Sequence, residues 1–248
     1  AEHVVLGAEG YMFGYPLVLM DLTREASAQS IGPPNTLKRV RVFPDASFRE
    51  VVRPNVDTLY TSAFIDLAPG PLVFELPAQD QRYELMPFMD AWTNVFAAPG
   101  TRTLGGRGGR FLLAGPGWQG ATPEGLQLLR APTRMVWLIG RTQTHGLADY
   151  PLVHALQDGI RLRTLADWQA GIEPAPPAWQ PAAERLRPPV QQIQAMGSAE
   201  FFERLARLMV DNPPAAADAP MLRKLARIGV APGQPPDWGP LERGAVAL

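Results

Sequence analysis

The sequence predicts an α+β fold, mainly β: an antiparallel, jelly-roll-like sandwich with an N-terminal helix and a C-terminal helical extension. Three observations predict it. Between residues 36 and 141, six short runs rich in β-branched and aromatic residues alternate with Gly and Pro clusters. On either side of that stretch the apolar residues recur at three-to-four spacing, the period of a helix. The regular strand–helix alternation of a parallel βαβ sheet is missing, which favours antiparallel sheets.

The elements follow in order. Residues 2 to 29 read as a helix on Val4, Val5, Ala8, Tyr11, Met12, Tyr15 and Leu19, with Pro16 expected to kink or break it. SIGPPN at 30–35 ends it. The strands expected next are TLKRVRVF (36–43), TLYTSAFIDL (58–67), PLVFELP (71–77), RYELMPFMDAWTNVFA (82–97), RFLLAG (110–115) and TRMVWLIGR (133–141). Asp149 then stands where it can cap a helix carrying Leu152, Val153, Leu156 and Ile160. Residues 170–190 are Pro-rich and read as an extended linker. Ser198 caps a helix with Phe201, Phe202, Leu205, Leu208 and Met209 on one face, stopped by DNPP at 211–214. Asp218 starts another, with Leu222, Leu225 and Ile228 inward and Gly229 as its stop. The final DWGPLERGAVAL reads as the opening of one more helix. The expected division is a helical segment over 1–34, an antiparallel β domain with a following helix over 35–168, and a linker with helices over 169–248 leading towards a second domain.

Composition removes several function classes. Of 248 residues, 46% are hydrophobic, enough for a core, and the net charge of −1 implies no basic face for nucleic acid. There is no cysteine, so disulfides, thiolate catalysis and Cys-ligated zinc are excluded. No apolar run approaches the ~20 residues of a spanning helix. The start AEHVV is compatible with a mature N-terminus left by removal of a secretory peptide. His3, His145 and His154 show no metal-ligand spacing, although His145 and Asp149 could pair. No G-x-S-x-G is present, and Ser62 sits inside a strand. No motif calls for a cofactor or a metal.

Three segments carry polar side chains that alternation would place on one face. Arg53, Asn55 and Asp57, followed by Thr58 and Tyr60, lie at the mouth of a buried strand. Asp90, Trp92 and Asn94 share a face of the long strand 82–97, and Trp137 and Arg141 share a face of 133–141. Indole beside carboxamide, carboxylate and guanidinium suits a small polar molecule or a carboxylate. Each residue also has a structural reading, since Asn and Asp near strand ends commonly bond their own backbone. Asp90 and Asp57 are the candidates for proton transfer. Arg53, Asn55, Tyr60, Trp92, Asn94, Arg102 and Arg141 are the candidates for ligand binding, and the expectation is that they converge on one pocket. Arg102 opens a Gly-rich loop with Arg107 and Arg110 that lacks the ending of a phosphate-binding P-loop.

YMFGYPLVLMDLTR, FREVVRPNVDTLYTSAFIDL, MPFMDAWTNVFAAPGTRT, AGPGWQG, MVWLIGRTQT and HALQDGIRL occur in this order. Together, from about Ala8 to Leu165, they resemble the bacterial family called domain of unknown function 1254. MVDNPPAAADAPMLRKLARIGVAPGQP resembles the connector to that family's usual second half, domain of unknown function 1214, which does not follow here. The resemblance implies β-rich, jelly-roll-like domains with helical additions and a periplasmic or secreted location. It brings no agreed catalytic residues. The expected function is therefore binding, with transformation left open, of a small polar or amphipathic molecule. The alternative is a non-catalytic sandwich for assembly, whose polar residues form a register-fixing network. A following domain or a homo-oligomer is the expected protein partner; neither nucleic acid nor a membrane span is.

Overall fold

Along TLYTSAFID half-buried and buried residues alternate over the first six positions, as a strand with one face on a core requires. The computed structural model describes residues 2–47, 54–79, 82–183 and 186–239. Its elements are α1 (Glu2–Ser30), β1 (Lys38–Arg39), β2 (Thr58–Asp66), β3 (Leu72–Leu76), β4 (Glu84–Leu85), β5 (Phe88–Asp90), β6 (Val95–Ala97), α2 (Thr101–Leu104), β7 (Gly109–Ala114), β8 (Gln127–Arg130), β9 (Met135–Gln143), α3 (Tyr150–Gly159), β10 (Arg161–Thr164), α4 (Leu165–Ala170), α5 (Pro189–Ala195), α6 (Ser198–Asp211) and α7 (Ala219–Ala226).

Two sheets form. The first runs β1-β2-β9-β5-β6 with β4 also paired to β9, and the second runs β10-β3-β7-β8. All pairs are antiparallel except β7–β8, which is parallel. The sheets face each other across a core of Ala63, Ile65, Val136 and Leu138 from one and Leu72, Phe74, Phe111 and Leu113 from the other. Phe74 meets Phe88 edge-on with centroids 5.1 Å apart, an arrangement that favours the ring quadrupoles. On the opposite, outer face of the first sheet, Phe64, Met135, Trp137 and Met89 pack with α1, α6 and α7 into a second core. The result is a mixed α/β protein of two packed sheets and a helical layer, and not a closed barrel.

Several expectations need correction. Pro16 does not break α1. Proline removes the amide that would bond the Met12 carbonyl, but Met12 is 67% exposed, so water can take its place. The long strand 82–97 is three short strands, because Asp90–Asn94 makes a turn with Thr93 in the left-handed region (φ 72°). Only Lys38–Arg39 of 36–43 is a strand. Strands β8 and β10 were not expected; Ile160 is extended rather than helical and leads into pairing with β3. Asp149 gives α3 no side-chain cap, since its carboxylate takes Arg82 and the His145 amide. Gly197, not Ser198, is the N-cap of α6. The Pro-rich stretch straps the end of α1, with the Trp179 indole and the Ala182 amide donating to the carbonyls of Ala28 and Gln29. Residues 240–248, where a further helix was expected to open, lie outside the described residues.

One glycine fixes how α2 meets the sheet. Gly100 bridges to Leu85. A Cβ there would stand 2.4 Å from the Glu84 carbonyl oxygen and 3.0 Å from Leu85 Cα. Both obstacles are backbone, so neither can swing aside. Gly100→Ala is expected to destabilise by about 1–3 kcal/mol, the usual range for overpacking, read as a lower urea midpoint at unchanged slope.

Candidate functional site

Strand β9 sorts its side chains by parity. Val136, Leu138, Gly140 and Thr142 point into the sandwich, whereas Trp137, Ile139, Arg141 and Gln143 stand on the outer face. Helices cover that face at the Met135–Trp137 end. At the other end Arg141 lies half-exposed between two neighbours, Tyr60 on β2 and Leu85 on β4. Its guanidinium carbon sits 5.1 Å from the Tyr60 ring centroid, within cation–π range. It forms no ion pair with a described carboxylate. Tyr83, beside Gln143, continues the row: its amide donates to Gln143 Oε1 at 3.0 Å. Arg102 of α2 stands 5.8 Å over the Tyr83 ring and is exposed. Two arginines and two tyrosines thus span two interstrand spacings, about 10 Å.

Asn55 braces this row. Its Oδ1 accepts from the amides of Asp57 (2.8 Å) and Thr58 (3.1 Å), and its Nδ2 donates to the Tyr60 hydroxyl at 3.2 Å. Burial pushes the Tyr60 phenol up, but the hydrogen bonds with Asn55 and Arg141 and the Arg141 charge outweigh it, so the net displacement is downward. A phenol held this way is a better hydrogen-bond donor to an anion. Asp57 is exposed and contributes backbone groups, its carbonyl accepting from the Thr144 amide. Arg53 lies outside the described residues.

The Asp90 group is elsewhere. Asp90 stands opposite Val136, and the strand from 136 to 141 separates it from the Arg141 row by roughly 17 Å at ~3.4 Å per residue. The expected convergence on one pocket therefore does not occur. Asp90 is 5% exposed, and its Oδ1 accepts from the amides of Trp92 and Asn94, both at 2.9 Å. Asn94 Nδ2 closes the loop on Oδ2 at 3.2 Å. The Trp92 indole donates to the Asn212 carbonyl at 3.1 Å and its ring packs on Phe13. Here the structural reading holds: a carboxylate whose oxygens are filled by its own turn is not placed to move a proton. Trp137, likewise, donates to Ser62 Oγ and stacks on Phe64.

Three other charged places are internally satisfied. A cavity of about 230 Å³ beside α1 is lined by Asp21, Arg24, Asp66 and Arg134, all of them ion-paired. Arg82 grips Asp149 through both oxygens, and that pairing holds the Asp149 carboxyl well below the usual range. His154 meets the Arg41 carbonyl at 2.7 Å. No group of three or more His, Asp or Glu able to hold a metal occurs among the described residues. No helix among them is long and apolar enough to cross a membrane.

Beneath the row lies a group that sequence could list but not place. Glu84 and Thr142 are register partners facing inward, 2% and 0% exposed, and Glu84 Oε2 and Thr142 Oγ1 both lack a hydrogen-bond partner. Burial raises the Glu84 carboxyl to about 7, only partly opposed by a hydrogen bond with Gln79. Tyr83 was missed because its role depends on pairing with Gln143, which no local pattern announces.

The family model described as "Protein of unknown function (DUF1254)" matches residues 34–164. Among solved structures, the VPA0106 protein from Vibrio parahaemolyticus superposes with a TM-score of 0.74 at 23% identity, covering 98% of this chain and 56% of that one. That likeness shows the fold, and the chain spans little more than half the length of that protein. An uncharacterised protein from Burkholderia cenocepacia aligns at 18% identity over 86% of this chain and 53% of the other, but its TM-score of 0.34 carries no argument. None of the curated proteins matches.

Two outcomes follow for stability. Asp90→Ala is expected to lose about 1–3 kcal/mol, leaving buried amides without acceptors. Arg141→Met is expected to change stability by less than about 0.5 kcal/mol, as an open surface position should; urea melts of both variants separate the two roles. For Glu84 the folded value lies above the ordinary 4.5. Its stabilising contribution is therefore complete below pH ~4.5 and is lost as pH rises through about 7. Glu84→Gln should flatten that decline and be more stable than the parent at pH 8 by on the order of 2 kcal/mol. Parallel pH profiles for the two proteins would contradict the assignment.

Proposed function

The chain belongs to the DUF1254 family, and from that premise we propose that it binds a small anion with an apolar body on the open end of its first sheet. The observation that carries this reading is Arg141: half-exposed, stacked on Tyr60, and without an ion pair to any described carboxylate. A guanidinium on an aromatic ring is partly desolvated and keeps its donor edge free for a carboxylate. Arg102 adds a second positive charge across Tyr83. Ile139 and Leu85, both half-buried, offer apolar surface between them. The ligand class is an aromatic or alkyl carboxylate whose head meets Arg141 and whose body lies across the tyrosines. The Tyr60 hydroxyl, braced by Asn55, supplies the remaining polar contact.

This reading is one of binding. Asp90 lies too far along β9 to act on such a ligand, and a proton-transferring role for Asp57 has no supporting contact. The jelly-roll-like winding and the periplasmic or secreted location belong to the same proposal; recovery of the native protein only from the cytoplasmic fraction would count against the location.

Titration calorimetry with benzoate and hexanoate tests the site. Arg141→Gln should weaken binding roughly tenfold or more, the loss expected when a charge-assisted hydrogen bond is removed. Equal affinity of parent and variant, or no heat with either carboxylate, would sink the reading.

A further inference from the structure

The second sheet presents a separate basic cleft. Arg161, Glu75 and Arg110 lie in register across β10, β3 and β7 on its outer face. With Pro77 and Arg107 they line an open cleft of about 400 Å³. The Gly-rich loop shapes its rim. Gly105, Gly106 and Gly108 have φ of 59°, 77° and 67°, left-handed values that suit glycine. A Cβ on Gly108 would stand 2.5 Å from the Leu76 carbonyl oxygen and 2.7 Å from the Ala78 nitrogen. Only a bare backbone lets the loop lie against the end of β3, and this sets Arg107 and Arg110 along the cleft.

The cleft is rich in donors and short of acceptors. Glu75 gives one oxygen to Arg163 in a close contact, and its other lies 3.7 Å from Arg110 Nε, beyond hydrogen-bond length. Glu173 is shared between Arg161 at 3.3 Å and Arg163 at 3.6 Å. Arg107 forms no ion pair with a described carboxylate. Three guanidinium groups line the cleft, those of Arg107, Arg110 and Arg161, and Glu75 is the one carboxylate among its lining residues. Crowded guanidinium donors short of acceptors favour an anion with several oxygens.

We infer that this cleft is an oxyanion site for a phosphate-sized dianion, held by Arg107 and Arg110 from the loop side and Arg161 from β10. A dianion matches the local excess of charge, and a tetrahedral group offers more acceptor oxygens to several arginines than a planar monocarboxylate does. The site is built from guanidinium forks and owes nothing to a helix N-terminus.

The test is calorimetry with inorganic phosphate, against acetate and against sodium chloride at matched ionic strength. Phosphate is expected to bind saturably and at least tenfold more tightly than acetate. Arg107→Gln and Arg110→Gln should each weaken phosphate about tenfold, and the double variant should abolish it. Arg107 and Arg110 are both exposed, so melting temperatures without phosphate should match the parent. Should the double variant melt early, Arg107→Ala alone decides. Acetate or chloride matching phosphate, or Arg107 and Arg110 variants binding like the parent, would overturn the proposal.

Discussion

The nine-residue ladder between β2 and β9 is the constraint on which the rest depends. Its register, Thr58 opposite Gln143 through Asp66 opposite Met135, decides which side chains enter the sandwich and which stand on the outer face. A slip of β9 by one residue would turn Arg141 inward and send Leu138 to the outer face. Two features guard against it. Gly140 faces the core where any Cβ would meet Met86 Sδ at 2.3 Å and the Thr61 carbonyl oxygen at 2.9 Å. Gln157 of α3, fully buried, donates to the carbonyls of Val40 and Tyr60. Because β9 also pairs with β4 and β5, both halves of the outer face inherit the same register.

Charge is distributed unevenly over this frame. Where helices close on the sheet, the ion pairs are dense. Asp21 of α1, 2% exposed, binds Arg24 and Arg204, and Arg134 bridges Asp66 and Asp211. Such pairs fix geometry more than they add stability, since desolvation offsets much of the attraction. At Arg141, Arg102 and Arg107 the matching stops. It is the placing of such guanidinium groups over tyrosine rings, or with others along one cleft, that distinguishes the two proposed sites from the structural ion pairs.

Much of the architecture was legible in the sequence. The 3.6-residue period marked α1, α6 and α7, and alternating runs bounded by Gly and Pro marked β2, β3, β7 and β9, because in these elements one face is buried and the pattern is forced. Strands β8 and β10 were not legible: QLLR, for one, has no buried residue, so no periodicity is imposed on it. Asp90 misled for a physical reason. Its side chain closes a turn inside what reads as one long apolar run, and the turn requires a left-handed Thr93, a state that sequence does not advertise. Of the candidates expected to converge, Tyr60 and Arg141 meet as register partners on one ladder and Asn55 reaches the Tyr60 hydroxyl, whereas Tyr83 and Glu84 depend on a β4–β9 pairing between residues distant in the chain.

Asn212, at the end of α6, joins parts of the chain made at very different times. Its side-chain oxygen accepts from the Met135 amide, its carbonyl from the Trp92 indole, and the Asp211 carbonyl from the Arg134 amide. During synthesis the two sheets can form once β10 has emerged, but the outer face around Phe64 and Met135 must wait for α6. Until some 45 further residues have left the ribosome, α1 alone is available to cover that apolar surface. The nascent sandwich thus passes through a stage in which part of its outer face is open, and α6 is the element that ends it.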